Sequence, residues 1–315
     1  MELISVIVPC YNEEESLPLF YDEIKRVSSE MKSKDELSFE FIFVNDGSRD
    51  KTLDILRDMA KKDNEVRYVS FSRNFGKEAA MYAGLEASKG DYVVILDADL
   101  QHPPKLIPEM YSYVKSGKYD CAATRRISRK GEPKLLSFFS NKFYDVINKI
   151  SQTQIVNGAQ DFRFMKRQMV DAILSMSEYN RFSKGIFSWV GFRTKFIEVE
   201  NTERVAGTTK WNFFKLFRYS LEGIFAFSTA PLEISVFLGL FFCFAAFVLL
   251  IILLLDIFLW HTGWTQTLTL LSVLLFTSGA GLVCIGILGQ YLAKTYLEVK
   301  GRPIYIKAED ETSQR

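Results

Sequence analysis

The sequence contains few of the residues that several kinds of protein site require. It has only 2 histidines and 4 cysteines in 315 residues, and no two cysteines have the CxxC spacing. A structural zinc site and a disulfide framework are therefore not expected, and neither is a mechanism that needs several histidines. The cysteines are predicted to be small buried apolar side chains, and the soluble part is expected in a reducing cytosol.

The sequence also has little net charge, with 39 Lys and Arg against 38 Asp and Glu. Because there is no overall basic field, nucleic acid is not an expected partner. With 48% hydrophobic residues, the chain has enough apolar side chains to exclude disorder. Nearly all the charge lies before about residue 222, and residues 257–293 contain no Lys, Arg, Asp or Glu. This predicts a polar globular part followed by an apolar part.

The first half alternates short β-rich runs with amphipathic stretches. Strands are predicted at 4–8, 39–45, 66–71, 92–96 and 120–124, and helices at 17–31, 52–61, 77–88 and 105–116. This alternation indicates βαβ crossovers and an α/β fold with a mostly parallel sheet. Less regular sequence follows, with helices predicted at 135–150, 167–176 and 182–190 and strands at 160–165 and 194–199.

Polar segments follow the predicted strands, and ligands of open α/β sheets bind where the strands end. The segments are PCYNEE, NDGSRD, DADLQ and TRR. Asp97 and Asp99 can hold a hard divalent cation that bridges a diphosphate, and Gln101 can add an amide oxygen. Structural alternatives remain open, because a DxD occurs in many surface loops, NDGS is good turn chemistry, and PCYNE can be a loop with a helix cap.

The last third of the sequence contains two long apolar segments. Residues 234–255 and 268–291 contain no charged side chain. At a rise of about 1.5 Å per residue, a helix of either length spans the roughly 30 Å hydrocarbon core of a bilayer. The segment before them, 211–227, has Lys215 and Arg218 among many aromatic residues. That composition favours an interfacial amphipathic helix over an ordinary core helix.

The distribution of Lys and Arg predicts the topology of these two spans. Basic residues flank both outer ends, whereas the connecting residues 256–267 contain none. The positive-inside bias therefore places the catalytic part and both termini in the cytoplasm, with the chain anchored in the cell membrane. Neither span contains an acidic or basic residue, which favours anchors over an ion or proton path.

Taken together, these motifs resemble glycosyltransferase family 2, which has the Rossmann-like GT-A fold. The fragments VIVPCYNEEESL, FVNDGSRDKT, SFSRNFGKEAA and GDYVVILDADLQHPP occur in the order and at the spacing of that family. TRR at 124–126, GAQDFRFM at 158–165, RFSKG at 181–185 and ERVAGTTKW at 203–211 are similar to its polyprenyl-phosphate branch. That branch includes dolichyl-phosphate mannose synthases and bactoprenol glucosyltransferases, and the resemblance covers essentially the whole chain.

The resemblance implies which residues hold the sugar donor and a cation. The residues that match the nucleoside pocket are Pro9, Tyr11, Glu13, Val44 and Asp46. Those that match the diphosphate site are Asp97, Ala98, Asp99 and Gln101, of which Asp97, Asp99 and Gln101 would hold Mg²⁺ or Mn²⁺. Asn45 stands where the family often has an Asp.

The resemblance also implies an acceptor site and a catalytic carboxylate. The residues that match phosphate-contacting positions are Arg125, Arg204 and Lys210, together with Thr209, which stands where Ser is common. Asp161 aligns with an acidic position opposite the donor, where it would orient a sugar hydroxyl or act as a base; a turn or cap residue is the structural alternative. Asp161, Asp99 and Arg125 are therefore the expected catalytic residues. For His102, loop packing and catalysis both remain open, and Arg73 and Lys77 could face the donor phosphates or solvate the start of a helix.

These implications together predict a membrane-anchored, inverting hexosyltransferase. It would move a hexose, glucose or N-acetylglucosamine, from a UDP-sugar to polyprenyl (undecaprenyl) phosphate, and it would act as a homo-oligomer. The predicted parts are the GT-A domain (1–210), an interfacial helix (211–230), two transmembrane helices (231–293) and a cytoplasmic tail (294–315). A processive polysaccharide synthase and a non-catalytic membrane scaffold are the alternatives; the first lacks its QxxRW motif here.

Overall fold

Strands and helices alternate along the first 115 residues of the computed structural model, as the sequence predicts. The structure describes residues 1–127, 148–149, 154–200, 225, 228–259 and 265–312. The first elements are β1 (Glu2–Cys10), α1 (Ser16–Lys32), β2 (Leu37–Asn45), α2 (Thr52–Lys62), β3 (Val66–Phe71), α3 (Lys77–Ala87), β4 (Tyr92–Ile95), a 3₁₀ turn (Pro104–Leu106) and α4 (Ile107–Lys115). The later ones are β5 (Cys121–Arg126), β6 (Ala159–Lys166), α5 (Arg167–Leu174), α6 (Ser183–Trp189), β7 (Thr194–Val199), α7 (Ala230–Leu259), α8 (Thr265–Val299) and β8 (Lys307–Asp310).

The eight strands form one sheet in the order β7-β5-β6-β4-β1-β2-β3-β8. Strands β1 to β4 run parallel to one another, β6 is antiparallel to both β4 and β5, and β8 is antiparallel to β3. The carboxyl ends of β1, β2, β3, β4 and β5 and the amino end of β6 therefore lie along one edge of the sheet. We call this the site edge.

Helices cover both faces of the sheet and bury its apolar strands. On one face, α1 packs against β1 and β2 through Leu17, Phe20, Ile24 and Val27, whose spacing of three and four residues makes one apolar stripe. Helices α2 and α4 contribute to the same core, and α3, α5 and α6 cover the opposite face. The core thus holds the strands in register and leaves their polar ends at the site edge.

The elements predicted in the described part of the catalytic region are confirmed to within a few residues. The α/β fold with a mostly parallel sheet is also confirmed. The antiparallel direction of β6 was not part of the prediction, because the alternation pattern does not show the direction of a strand that follows an irregular segment. The helix predicted at 135–150 lies outside the described residues, apart from 148–149.

Residues 294–315 are predicted to be a cytoplasmic tail, but part of this segment, Lys307–Asp310, forms a strand. Residues of β8 pair with β3, with Val69 opposite Asp310 and Ser70 opposite Glu309. Arg57 on α2 donates two hydrogen bonds to Glu309, at 2.9 and 2.8 Å. The chain that follows the last long helix therefore returns to the sheet and covers the edge of β3.

The two long C-terminal helices have exposed apolar surfaces. Phe237 on α7 and Leu282 on α8 are among many large apolar side chains that are exposed. Within the described part of the chain, one helical segment, Thr269–Val299, is long and apolar enough to cross a membrane, and a shorter apolar segment covers Ala230–Phe242. Two transmembrane helices are thus not confirmed. Most of the predicted interfacial helix, 211–230, lies outside the described residues.

Candidate active site

The loops after β1 and β2 are bonded to each other at the site edge. The N–H of Asn12 donates to the hydroxyl of Ser48 at 3.0 Å, and the N–H of Arg49 donates to the Asn12 side chain at 2.9 Å. Asn12 has a φ of 55°, a left-handed conformation that Asn tolerates better than most residues. These hydrogen bonds therefore hold the two loops together as one unit at the site edge.

The loop after β3 packs closely on the turn after β2. Gly47 has a φ of 61°, and a Cβ atom there would lie 2.4 Å from the backbone carbon of Arg73, so only glycine fits. The neighbouring Asp46 is buried, and it accepts hydrogen bonds from the N–H groups of Phe75, at 2.6 Å, and Gly76, at 3.0 Å. Burial raises the pKa of the Asp46 carboxyl to about 6, although these N–H groups act in the opposite direction.

A pocket of about 330 Å³ opens between these loops. It is lined by Tyr11, Asn45, Gly47, Ser48, Arg49, Leu53, Ser70, Phe71, Ser72, Arg73 and Asn74. Of the residues predicted to hold the nucleoside, Tyr11 lines this pocket. Val44 and Asp46, on either side of the lining residue Asn45, are buried, and Pro9 and Glu13, two residues to either side of Tyr11, are partly buried. A larger cavity of about 460 Å³ lies between α1 and α4, at the edge where the strands begin.

Lys77 joins two carboxylates that come from different strands. It is the first residue of α3, and its Nζ lies 2.8 Å from both carboxylate oxygens of Asp97, just after β4. The same Nζ lies 2.8 Å from Oδ2 of Asp161, near the start of β6. The structure thus brings Asp97 and Asp161, both predicted site residues, to one point at the site edge.

The charges around this point keep Asp161 ionised. Burial by itself raises the pKa of Asp161, but the cations of Lys77, Lys184 and Arg163 outweigh burial and hold this pKa well below its usual range. Burial also lowers the pKa of Lys77, and the charges of Asp161 and Asp97 more than reverse that effect. At neutral pH the group is therefore an ammonium between two carboxylates.

The DADLQ loop is tightly turned directly after Asp97. Ala98 is buried, and the N–H of Gln101 donates to Oδ1 of Asp99 at 3.1 Å. Leu100 has a φ of 59°, a left-handed conformation that costs a residue other than glycine about 1–3 kcal/mol. Such a strained conformation persists only where surrounding contacts hold the backbone in place, and conformations of this kind are common in ligand sites.

The donor set of this loop fits a hard divalent cation that is bound together with a substrate. Asp97 and Asp99 supply two carboxylates, and Gln101 supplies an amide. Mg²⁺ is usually held by one or two carboxylates, with waters and substrate phosphates completing its shell. Among the described residues, no group of three His, Cys, Asp or Glu is arranged to hold a metal ion by protein ligands alone.

His102 packs beneath the same loop. It is buried, and its ring lies 5.8 Å from the ring of Phe162. Burial lowers the pKa of His102, so the ring is neutral at pH 7. Its position matches loop packing, one of the two roles that the sequence left open.

Arg125 lies at the site edge, in the strand next to β6. It is opposite Ala159, and a register shift separates it from Ala123. Its Nε is buried without a hydrogen-bond partner in the described part of the chain. The other predicted acceptor residues, Arg204, Thr209 and Lys210, lie outside the described residues.

The residues that surround Asp161 are not among the site residues predicted from the sequence. Glu78 accepts hydrogen bonds from the N–H of Ser183, at 3.0 Å, and from its hydroxyl, and so ties the RFSKG segment to α3. Lys184 follows in that segment. A lysine as the first residue of a helix was a usable signal for Lys77, because the helix dipole disfavours a cation there.

Comparison with known proteins identifies the family. Residues 5–174 match the family described as Glycosyl transferase family 2. The chain belongs to glycosyltransferase family 2. It is therefore a glycosyltransferase, and the predicted family is confirmed.

Relatives match almost the whole length of this glycosyltransferase. A prophage bactoprenol glucosyl transferase homolog of Escherichia coli is 40% identical over 303 residues, which cover 96% of this chain and 97% of the relative. The bactoprenol glucosyl transferase of Shigella phage SfX is 39% identical, and the match covers 96% of this chain and 98% of the relative. A solved structure of glucosyl-3-phosphoglycerate synthase from Mycobacterium tuberculosis, with Mn²⁺ and UDP-glucose, is 19% identical and has a TM-score of 0.45. The match covers 71% of this chain and 77% of that protein.

Proposed function

We propose that the enzyme transfers a hexose from a UDP-sugar to the phosphate of a membrane-bound polyprenyl phosphate. The observation that carries this proposal is the near full-length similarity to bactoprenol glucosyl transferases, which extends through the apolar C-terminal third. Bactoprenol is a polyprenol, so its phosphate lies at a bilayer surface. Glucose and N-acetylglucosamine are the donor sugars to test first.

The pocket between the loops of β1, β2 and β3 would hold the nucleoside of the donor. Tyr11 and Phe71 offer rings beside a base, and Asn45, Ser48 and Ser70 offer hydrogen-bonding groups. Val44 and Asp46 flank the lining residue Asn45, Pro9 precedes the loop that contains Tyr11, and Glu13 fixes the start of α1 by accepting from the hydroxyl of Ser16 at 2.5 Å. The pocket lining ends at Asn74, three residues before Lys77, so the donor phosphates would extend toward Lys77 and Asp97.

Asp97, Asp99 and Gln101 would hold Mg²⁺ or Mn²⁺ at the donor diphosphate. The cation would supply charge neutralisation for the leaving UDP. Asp161 lies across from Asp97, where its ionised carboxylate can orient a hydroxyl of the donor sugar. A polyprenyl phosphate is already ionised at neutral pH, so it needs positioning more than it needs a general base.

Cationic side chains would guide the acceptor phosphate against the charge of the donor. Arg125 has a buried Nε at the site edge, and Arg204 and Lys210, with the hydroxyl of Thr209, are proposed to join it. Arginine suits such contacts because it can bind a phosphate through two parallel hydrogen bonds. A single in-line displacement from this side would invert the anomeric centre of the sugar.

Two membrane crossings would anchor the enzyme beside this acceptor. The strand β8 follows α8 and pairs with β3, so the sheet and the chain after α8 would lie on the same side of any membrane. An even number of crossings is then required between them. If Thr269–Val299 crosses the bilayer, a second crossing must precede it, and the 30-residue α7 is long enough to supply it.

Two other functions predict different products. A processive polysaccharide synthase would make a polymer, and a non-catalytic scaffold would make nothing. The paired Asp97 and Asp161 at the site edge favour a catalytic centre over a scaffold, and the absence of QxxRW from the sequence disfavours the synthase.

The test is transfer of radiolabel from UDP-sugars to undecaprenyl phosphate by the purified full-length enzyme. We expect a chloroform-soluble product from one donor of a panel, no product with a chelator present, and none from Asp99→Ala. Asp58→Ala, which changes an exposed carboxylate on α2, is the matched control and should keep full activity. A water-soluble polymer, or a folded wild type with no product from any donor, would contradict the proposal.

A further inference from the structure

Lys77 occupies an unusual place for a lysine. It begins α3, directly after Gly76, which has a φ of 98°. A cation at the start of a helix is disfavoured by the helix dipole, whose positive end lies there. Three carboxylate oxygens, two from Asp97 and one from Asp161, nevertheless lie 2.8 Å from its Nζ.

The backbone before Lys77 is held in place by a separate contact. The buried carboxylate of Asp46 accepts the N–H groups of Phe75 and Gly76, the two residues that precede Lys77. The start of α3 is therefore fixed to the end of β2. The ammonium of Lys77 reaches the carboxylates of Asp97 and Asp161 at the site edge, although the side chain as a whole stays partly exposed to solvent.

The position of Lys77 places it in competition with the divalent cation. Both oxygens of Asp97 already contact the ammonium, so a cation bound through Asp97 must share this carboxylate or displace Lys77 from it. Without Lys77, Asp97 and Asp161 would lose the cation that contacts both of them, with Lys184 and Arg163 acting only on Asp161 and with Asp99 two residues from Asp97. Such a site would attract a divalent cation even when no donor is bound.

We propose that Lys77 is the internal counter-ion of the cation site: it neutralises Asp97 and Asp161 in the donor-free enzyme and competes with the divalent cation for Asp97. Tight cation binding then requires a nucleotide diphosphate, which brings its own negative charge and oxygen ligands. Lys77 keeps its contact with Asp161 and so acts as a positioning residue. This inference rests on the proposed cation-dependent donor site.

The test is Mn²⁺ binding to the purified full-length enzyme, measured without nucleotide from the electron paramagnetic resonance signal of free Mn²⁺. Lys77→Met removes the competing charge a few ångströms from the cation, so we expect Mn²⁺ to bind about tenfold more tightly than to the wild type. Lys77→Arg should behave like the wild type. The matched control is Lys89→Met, which removes an exposed lysine just beyond the other end of α3.

The outcomes separate this inference from a purely structural role. If Lys77 only joined α3 to the sheet, Lys77→Met would lower the melting temperature and leave Mn²⁺ affinity unchanged or weaker, and that result in a folded variant overturns the proposal. Lys77→Gln gives the same test if the methionine variant does not fold. If UDP fails to raise the Mn²⁺ affinity of the wild type, the proposed donor site itself is wrong, whatever Lys77→Met shows.

Discussion

Individual carboxylates at the site edge have different structural roles, which depend on the groups that each one contacts. Asp46 shows this, because its buried carboxylate joins the end of β2 to the start of α3 through backbone N–H groups. Asp161 is different, since its carboxylate accepts from the side chain of Lys77 at the site edge and not from the backbone of a loop. We therefore expect substitution of Asp161 to affect turnover more than folding.

Asp161→Asn should lower kcat by about tenfold to a hundredfold, because the neutral amide cannot make the charge-assisted hydrogen bond, worth about 1.5–3 kcal/mol, with which Asp161 is proposed to orient the donor sugar. The affinity for UDP, measured by calorimetry, should change far less, because Asp161 does not line the candidate nucleoside pocket. Asp171→Asn on α5 removes an exposed carboxylate and serves as the control. Wild-type turnover by Asp161→Asn would remove Asp161 from the mechanism.

Glu78 should make the stability of the enzyme depend on pH. Burial raises the pKa of Glu78 from 4.5 to about 7, the charge of Asp161 adds to this, and the Ser183 hydrogen bonds and Lys77 oppose it. Arg181 is also nearby. Between pH 4.5 and 7 the folded state binds more protons at this carboxyl than the unfolded state, so stability falls as pH rises through this window.

The expected sign can be checked with Glu78→Gln, which keeps an oxygen for both Ser183 hydrogen bonds but cannot ionise. The melting temperatures of wild type and variant should be similar near pH 4.5, and the variant should be the more stable at pH 8. Glu109→Gln, at an exposed carboxyl on α4, should show no such pH-dependent difference. A variant that is less stable at pH 8 would mean that the Glu78 carboxylate stabilises the fold.

At the scale of elements, β8 is a small strand that several polar contacts hold in place. Besides the Arg57–Glu309 pair, Arg67 donates from Nε to Glu311 at 2.9 Å, and the Tyr305 ring stacks on Phe71 with centroids 4.7 Å apart. Phe71 also lines the pocket at the site edge. The return of the chain from α8 therefore both covers the edge of β3 and contacts a wall of the candidate donor pocket.

A double-mutant cycle should show that the Arg57–Glu309 pair holds β8. Arg57→Glu and Glu309→Arg should each lower the melting temperature, and the double variant should recover part of the loss, with a coupling energy of about 1 kcal/mol for a partly buried bidentate pair. The exposed Arg26–Glu30 pair on α1 is the control, with an expected coupling near zero. Equal coupling in the two pairs would mean that β8 is held by its backbone pairing instead.

The sequence was sufficient to predict the elements with a strong apolar pattern, and insufficient for those without one. The buried strands β2 and β4 are runs of apolar residues, and so they were predicted almost to the residue. Strand β8 reads KAED, which has neither an apolar run nor an alternating pattern, and only its pairing with β3 makes it a strand. Edge strands of this kind are polar because one side faces water.

The candidate site was predictable as a set of positions but not as a set of contacts. The rule that ligands bind where parallel strands end led to Asp97 and Tyr11, which do lie at the site edge. The contact between Asp97 and Asp161 through Lys77 depends on β6 running antiparallel beside β4, because this direction brings the start of β6 to that edge. No spacing in the sequence contains that information.

The fold of the whole molecule restricts how many times the chain can cross a membrane, which neither long helix does alone. Residue 199 ends β7 and residue 307 begins β8, and both strands belong to the same sheet. A chain that leaves this sheet, crosses a bilayer once and returns to the sheet cannot exist, because β8 would then be on the wrong side of the membrane. The pairing of β8 with β3 therefore requires zero or two crossings and forbids one.

Labelling of engineered cysteines in intact cells distinguishes these two cases. With two crossings, a cysteine at Gly263, between α7 and α8, should react with a membrane-impermeant maleimide added outside, whereas a cysteine at Ser313, beyond β8, should react only after the cells are opened. Lys34→Cys, at the exposed turn after α1, is the control for the catalytic domain and should behave like the Ser313 variant. If Gly263→Cys also reacts only in opened cells, α7 and α8 do not cross the bilayer; if Ser313→Cys reacts from outside while Lys34→Cys does not, β8 cannot pair with β3 in the cell.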